Sequence, residues 1–126
     1  MTENEIDGEQ PLPALLGAWA DAIARHEPAE VAALFTEDAL FQGFDPEPGS
    51  GRDVVEAYYG KQPLGLTAEW ERLRVRRLSA DTEIGYARVL FRRPDAEVPT
   101  YLTVVATRTA DGWQLSHYHV SKQLGV

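Results

Sequence analysis

The chain has 126 residues, 44% hydrophobic and 25% charged, with no cysteine and a formal net charge of −8. Such a length suits one domain with a single core, and the lack of cysteine excludes disulfides and thiol chemistry. The acidic balance argues against nucleic acid as a partner. No apolar run approaches the ~18 residues of a membrane span, and the acidic N-terminus lacks the basic start of a signal peptide, so a cytoplasmic protein is expected.

The charge is uneven. Residues 1–60 hold thirteen acids and two bases, whereas residues 61–126 hold seven acids and ten bases. Ten of the twelve basic residues are arginine. That excess reads either as GC-rich coding or as guanidinium groups placed to meet an anion, since a planar guanidinium pairs bidentately with carboxylate or phosphate.

Residues 1–10 are acidic and aperiodic, so a disordered tail is expected there, with one domain over 11–126. Leu12, Leu15, Leu16, Trp19 and Ile23 form one apolar stripe at helical spacing. Arg25 and His26 suit the negative end of that helix. Pro28 starts a second short helix with Val31, Leu34 and Phe35 inward. Thr36-Glu37-Asp38 closes it, and residues 39–44 read as a short strand. The loop at 45–51 is dense in turn formers. A third helix is expected over 52–59, with Val54, Val55, Tyr58 and Tyr59 on its inner edge and Gly60 as its cap.

The remainder reads as strands at 66–78, 84–92 and 98–108, joined by short turns, followed by a final strand after the Asp111-Gly112 hairpin. Long strands on short turns imply an antiparallel meander, and helices before strands imply α+β. In the last strand Trp113, Leu115, His117, His119 and Ser121 fall on one face, and Gln114, Ser116, Tyr118, Val120 and Lys122 on the other. Both faces mix apolar and polar groups, so one is expected to line a cavity and the other an interface.

This order of elements resembles the nuclear transport factor 2-like (SnoaL-like) superfamily over roughly residues 12–122. Ala33-Leu34-Phe35-Thr36-Glu37-Asp38-Ala39 is similar to the family's passage into its first strand. Gly49-Ser50-Gly51-Arg52, followed by Val55 and Tyr58-Tyr59, is similar to its third helix. Gly112-Trp113-Gln114-Leu115-Ser116-His117-Tyr118-His119 resembles the terminal strand of the calmodulin-kinase association domain and of small bacterial relatives. The resemblance implies a cone-shaped α+β fold, with three N-terminal helices packed on a curved antiparallel sheet. It implies a pocket inside the cone and a homodimer through the sheet face. It does not fix a function, because the fold hosts isomerases, dehydratases, cyclases, hydrolases and assembly domains.

The ketosteroid isomerases of this superfamily use a helix tyrosine, an aspartate after the first strand and a protonated strand aspartate. Alignment on Leu34-Phe35 and Ala39 puts Trp19 at the tyrosine, Gly43 at the base and Val104 or Val105 at the strand acid. Tryptophan donates a hydrogen bond but is no acid near neutral pH. That three-residue mechanism is therefore not retained. Asp45, two residues beyond Gly43, is the best single acid; it also suits a turn before proline.

His117 and His119 share a face and could act together as acid and base or as two metal ligands. No third ligand with suitable spacing accompanies them, so no metal and no cofactor is expected. They equally suit hydrogen-bonded histidines on a dimer face, and by resemblance to the association domain the pocket face carries Ser116, Tyr118 and Val120. His26, at a helix end, needs no function. Gly85-Tyr86-Ala87-Arg88 resembles the strand that places a buried arginine in the association-domain pocket. Arg88 is thus a candidate anion-binding residue, or else a partner of Asp45 or Glu69. Trp19, Phe41, Tyr58, Trp70, Tyr86 and Tyr118 suit core aromatics and also a planar, partly polar ligand.

The function expected is binding of a small organic molecule, anionic or aromatic, with Arg88 on a carboxylate or enolate oxygen and Tyr86 and Tyr118 as hydrogen-bond donors. Asp45 or a histidine would move protons in isomerase-, cyclase- or dehydratase-like chemistry. By resemblance the substrates belong to bacterial secondary metabolism, polyketide-like or aromatic. The alternative is a non-catalytic ligand-binding or assembly domain.

Overall fold

A computed structural model of the chain describes residues 10–44 and 47–123. The acidic segment 1–9 and Asp45 lie outside the described residues. Helices α1 (Pro11–Ala24), α2 (Pro28–Ala33) and α3 (Arg52–Gly60) accompany strands β1 (Phe35–Gln42), β2 (Gly49–Ser50), β3 (Thr67–Ser79), β4 (Thr82–Arg93), β5 (Ala96–Thr109) and β6 (Gly112–Lys122). The α+β expectation holds. The strands form one curved sheet in the order β2-β1-β6-β5-β4-β3. It is antiparallel except where β1 runs parallel to β6.

The apolar stripe of α1 does what its spacing predicts: Leu12, Leu15, Leu16 and Trp19 are completely buried. Gly85 makes room for the start of this helix. A Cβ there would stand 2.7 Å from a Leu12 methyl and 3.3 Å from a Leu73 methyl. The end of α1 explains His26. It adopts φ 54° and donates to Ile23 O, while Glu27 N–H reaches back to Ala22 O. This is a Schellman closure with histidine where glycine is usual.

Two expectations shift. Residues 36–38 do not end α2 but belong to β1, whose pairing with β6 jumps from Phe35↔Leu115 to Leu40↔His117. The excess residues loop out, held by a Thr36–Asp38 side-chain bond of 3.0 Å. Gly60 is the last helical residue of α3 rather than its cap, which is Lys61.

The strands alternate as a half-covered sheet should. Gly85, Ala87, Val89 and Phe91 of β4 and Thr100, Leu102, Val104 and Ala106 of β5 face the helices and are buried. β6 breaks the alternation. Val105 pairs with His117 but Ala106 with Leu115, so Ser116 is an extra residue. Such a β-bulge switches the side-chain parity of a strand. As a result Trp113 and Leu115 before it, and Tyr118 and Val120 after it, all turn inward and are buried.

Candidate functional site

The inner face is filled by aromatic rings. Phe41 of β1 lies opposite Tyr118 of β6 in register, and their rings stack at 4.6 Å and 17°. Trp19 packs edge-on to Phe91 at 5.9 Å and tilted to Tyr118 at the same separation. Trp19 Nε1 donates to the Tyr59 hydroxyl at 3.0 Å, and Tyr59 donates to Tyr118 at 3.3 Å. Indole nitrogen can only donate, which orders this buried string from Trp19 to Tyr118. Burial raises both phenols above their ordinary range, so the string is neutral at physiological pH.

Tyr58, the neighbour of Tyr59, points to the other side. Its ring lies flat on the backbone of Gly43, where a Cβ would strike it, and its oxygen accepts from Phe44 N–H at 3.3 Å. Outside this ring is a cleft of about 340 Å³ between the β1–β2 loop and α3. Phe41 and Tyr58 line it on one side, Val54 and Ala57 on another, and Lys61, Gln62 and Glu47 carry its polar groups. A second, much smaller void of about 10 Å³ touches Tyr58, Tyr59, Phe44, Phe91 and Arg93. Lys122 stands 5.2 Å above the Phe44 ring.

The residues singled out in sequence therefore fall into separate groups. Trp19, Phe41 and Tyr118 meet inside, Tyr58 borders the cleft, and Trp70 is half-buried on β3. Tyr86 and Arg88 do not line the interior. Both are exposed, on the outer face of β4, because the inward parity of that strand belongs to Gly85, Ala87 and Val89. Arg88 is not the partner of Glu69, which pairs with Arg92 at 3.4 Å. His117 and His119 also lie on the outer face, in register with Val105 and Thr103. Asp45 falls outside the described residues. Among the described residues no three His, Asp or Glu side chains come together to hold a metal ion. No helix among them is long and apolar enough to cross a membrane.

Sequence reasoning passed over Tyr59, Phe44 and Phe91. A signal existed for the first: two adjacent tyrosines on a helix are 100° apart, so one can enter the core while the other edges a cleft.

A model of the SnoaL-like domain matches residues 12–124. The chain belongs to the SnoaL-like family. Solved structures share the fold at low identity. A protein of Novosphingobium aromaticivorans provisionally named a scytalone dehydratase is 16% identical, with TM-score 0.81 over 92% of this chain and 84% of its own. A Xanthomonas campestris protein provisionally named a calcium/calmodulin-dependent protein kinase II association domain is 20% identical, with TM-score 0.79 over 100% and 99%. A Streptomyces avermitilis protein of the NTF2-like family, provisionally named a dehydratase, is 18% identical, with TM-score 0.80 over 94% and 97%. No curated protein matches the chain in sequence. As a SnoaL-like domain, the chain pairs the family's curved sheet with an aromatic interior that is packed rather than hollow.

Proposed function

We propose that this SnoaL-like protein binds a small planar organic anion in the cleft between the β1–β2 loop and α3, against Phe41 and Tyr58. The observation that carries this reading is the cleft itself: about 340 Å³ is within the range of small-molecule sites, and one aromatic wall backs onto the neutral phenol string. Lys61 at the rim supplies the cation first sought in Arg88. Proton transfer is the chemistry this setting supports. Asp45, next in sequence to Phe44, would take a proton as a carboxylate, and the Tyr58 hydroxyl would donate to the substrate oxygen. Dehydratase names among the fold neighbours agree with that class.

Naphthoate and salicylate serve as probes. Ala57→Trp, on the exposed side of α3, should fill the cleft and weaken naphthoate at least about tenfold by calorimetric titration without loss of thermal stability. Unchanged affinity in that variant would remove the cleft as the site. Asp45→Asn should abolish deuterium uptake from D₂O into a 1,3-diketone probe while leaving naphthoate binding intact; equal uptake by both proteins sinks the proton-transfer part.

A second reading, self-association, rests on the outer sheet face. Tyr86, Tyr101 and Leu40 are 56%, 50% and 49% exposed there, beside Val105 and the two histidines. Contiguous apolar surface of this kind marks an interface, and a homodimer through this face would cover it. Sedimentation of a monomer at micromolar concentration would refute that reading.

A further inference from the structure

β3 ends the sheet, and among the described residues no strand pairs with its outer edge. An open edge offers unpaired backbone donors and acceptors. Its side chains are distinctive. Arg74 and Arg76 lie opposite Tyr86 and Ile84, which puts them on the outer face. Arg72 precedes them with φ 56°, at a bulge where the register moves between Glu71↔Arg88 and Arg74↔Tyr86. Arg72, Arg74, Tyr86 and Arg88 surround an open groove of about 560 Å³. Among the described residues, Arg72, Arg74 and Arg76 form no ion pair. Val75, on the opposite face, is 45% exposed.

The sequence holds a matching pattern. Glu3, Glu5, Asp7 and Glu9 occupy every second position, and Ile6 lies between them. In an extended segment the four carboxylates share one face and Ile6 takes the other. The segment also starts in the right place. It precedes α1, whose Leu12 converges with Leu73 of β3 over Gly85. Residues 3–9 extended cover roughly 24 Å, the same seven-residue span as residues 72–78.

We propose that residues 3–9 add a strand to the open edge of β3 in the same molecule, with their carboxylates beside Arg72, Arg74 and Arg76. Ile6 then covers Val75. Cross-strand pairs of opposite charge favour this arrangement over solvation of two like-charged strands, and backbone pairing at a sheet edge supplies the rest. The added strand would also shield the edge from pairing with other molecules.

Amide hydrogen exchange in the intact chain tests this at low salt, where exposed charge pairs are least screened. The β3 amides at 72–78 that β4 leaves free should exchange about tenfold more slowly than in the neutral variant Glu3→Gln/Glu5→Gln/Asp7→Asn/Glu9→Gln. Arg74→Glu/Arg76→Glu should remove the protection, and adding Glu5→Arg/Asp7→Arg to it should restore it. Equal exchange in the native and neutral chains overturns the proposal. A nitroxide on Thr2→Cys, in a chain with no other cysteine, should broaden residues 72–79 of its own molecule. Broadening seen only in unlabelled molecules mixed with labelled ones would assign the strand to a second copy and overturn the intramolecular form.

Discussion

At one end of the inner face, Trp19, Tyr59 and Tyr118 are buried, neutral and joined in a string. At the other end Glu83, only 4% exposed, receives Arg77 at 2.7 Å. Trp113 stands beside that pair, with the Arg77 and Arg108 guanidinium groups 5.3 and 5.6 Å from its ring. The neutral end brings its polar atoms out of water in matched pairs, so little is lost on burial. The charged end retains water, because Arg77 is 40% exposed, and it leaves Glu83 Oε1 and Trp113 Nε1 without hydrogen-bond partners. Desolvation of an ion costs several kcal/mol, roughly, unless its pairing is complete. The contrast assigns rigidity to the phenol end, which borders the cleft, and tolerance to the charged end.

The largest expected effect belongs to the neutral end. Trp19→Ala removes a completely buried ring and the donor to Tyr59, and should cost about 4 kcal/mol, read from the urea midpoint. The charged end should respond unequally to its two partners. Arg77→Met leaves the buried carboxylate uncompensated and should cost about 3 kcal/mol. Glu83→Gln leaves an arginine that can turn to water, and should cost only about 1 kcal/mol. Equal losses from the two substitutions would mean that this end is as closed as the other.

Tyr118→Phe is milder, about 1 kcal/mol, but it has a pH signature. Burial raises the folded pKa of Tyr59 and Tyr118 above the unfolded value of about 10. Below that value both states hold their protons and the stabilisation is complete. Above it the unfolded chain binds fewer protons than the folded one, so stability falls as pH rises. The fall in the native chain carries two phenols and in Tyr118→Phe one. Identical slopes in alkaline denaturation would show that Tyr118 is not held neutral.

The elements were legible in sequence wherever spacing was regular: the α1 stripe, the Asp111-Gly112 hairpin and the long strands needed only periodicity. Bulges were not legible, because an inserted residue leaves no compositional mark. In β6 the extra Ser116 turns Trp113 and Tyr118 to the same side although strict alternation separates them. Tyr118 was placed inward correctly, through a family resemblance rather than through alternation. In β4, which has unbroken parity, the same resemblance misplaced Arg88 and Tyr86. There the small inward residues Gly85 and Ala87, which admit α1, were the stronger clue. The cleft was invisible because it depends on how Tyr58 lies against Gly43, a contact between residues fifteen positions apart.

The smallest effect expected is that of Arg108→Gln. Arg108 donates to Asp81 Oδ1 at 2.8 Å and to Ala80 O at 3.2 Å, and its side chain is half exposed. An exposed pair of this kind contributes about 0.5 kcal/mol, and the ring contact a similar amount. The backbone bond from Arg108 N–H to Asp81 O at 2.8 Å survives the substitution, and Arg77 still faces the Trp113 ring. The loss should therefore stay near 1 kcal/mol in dilute buffer and shrink at about 1 M salt, where charges are screened within ~3 Å. A loss as large as that of Arg77→Met, insensitive to salt, would make the two arginines one buried network and remove the distinction between a neutral, dry end and a charged, wet one.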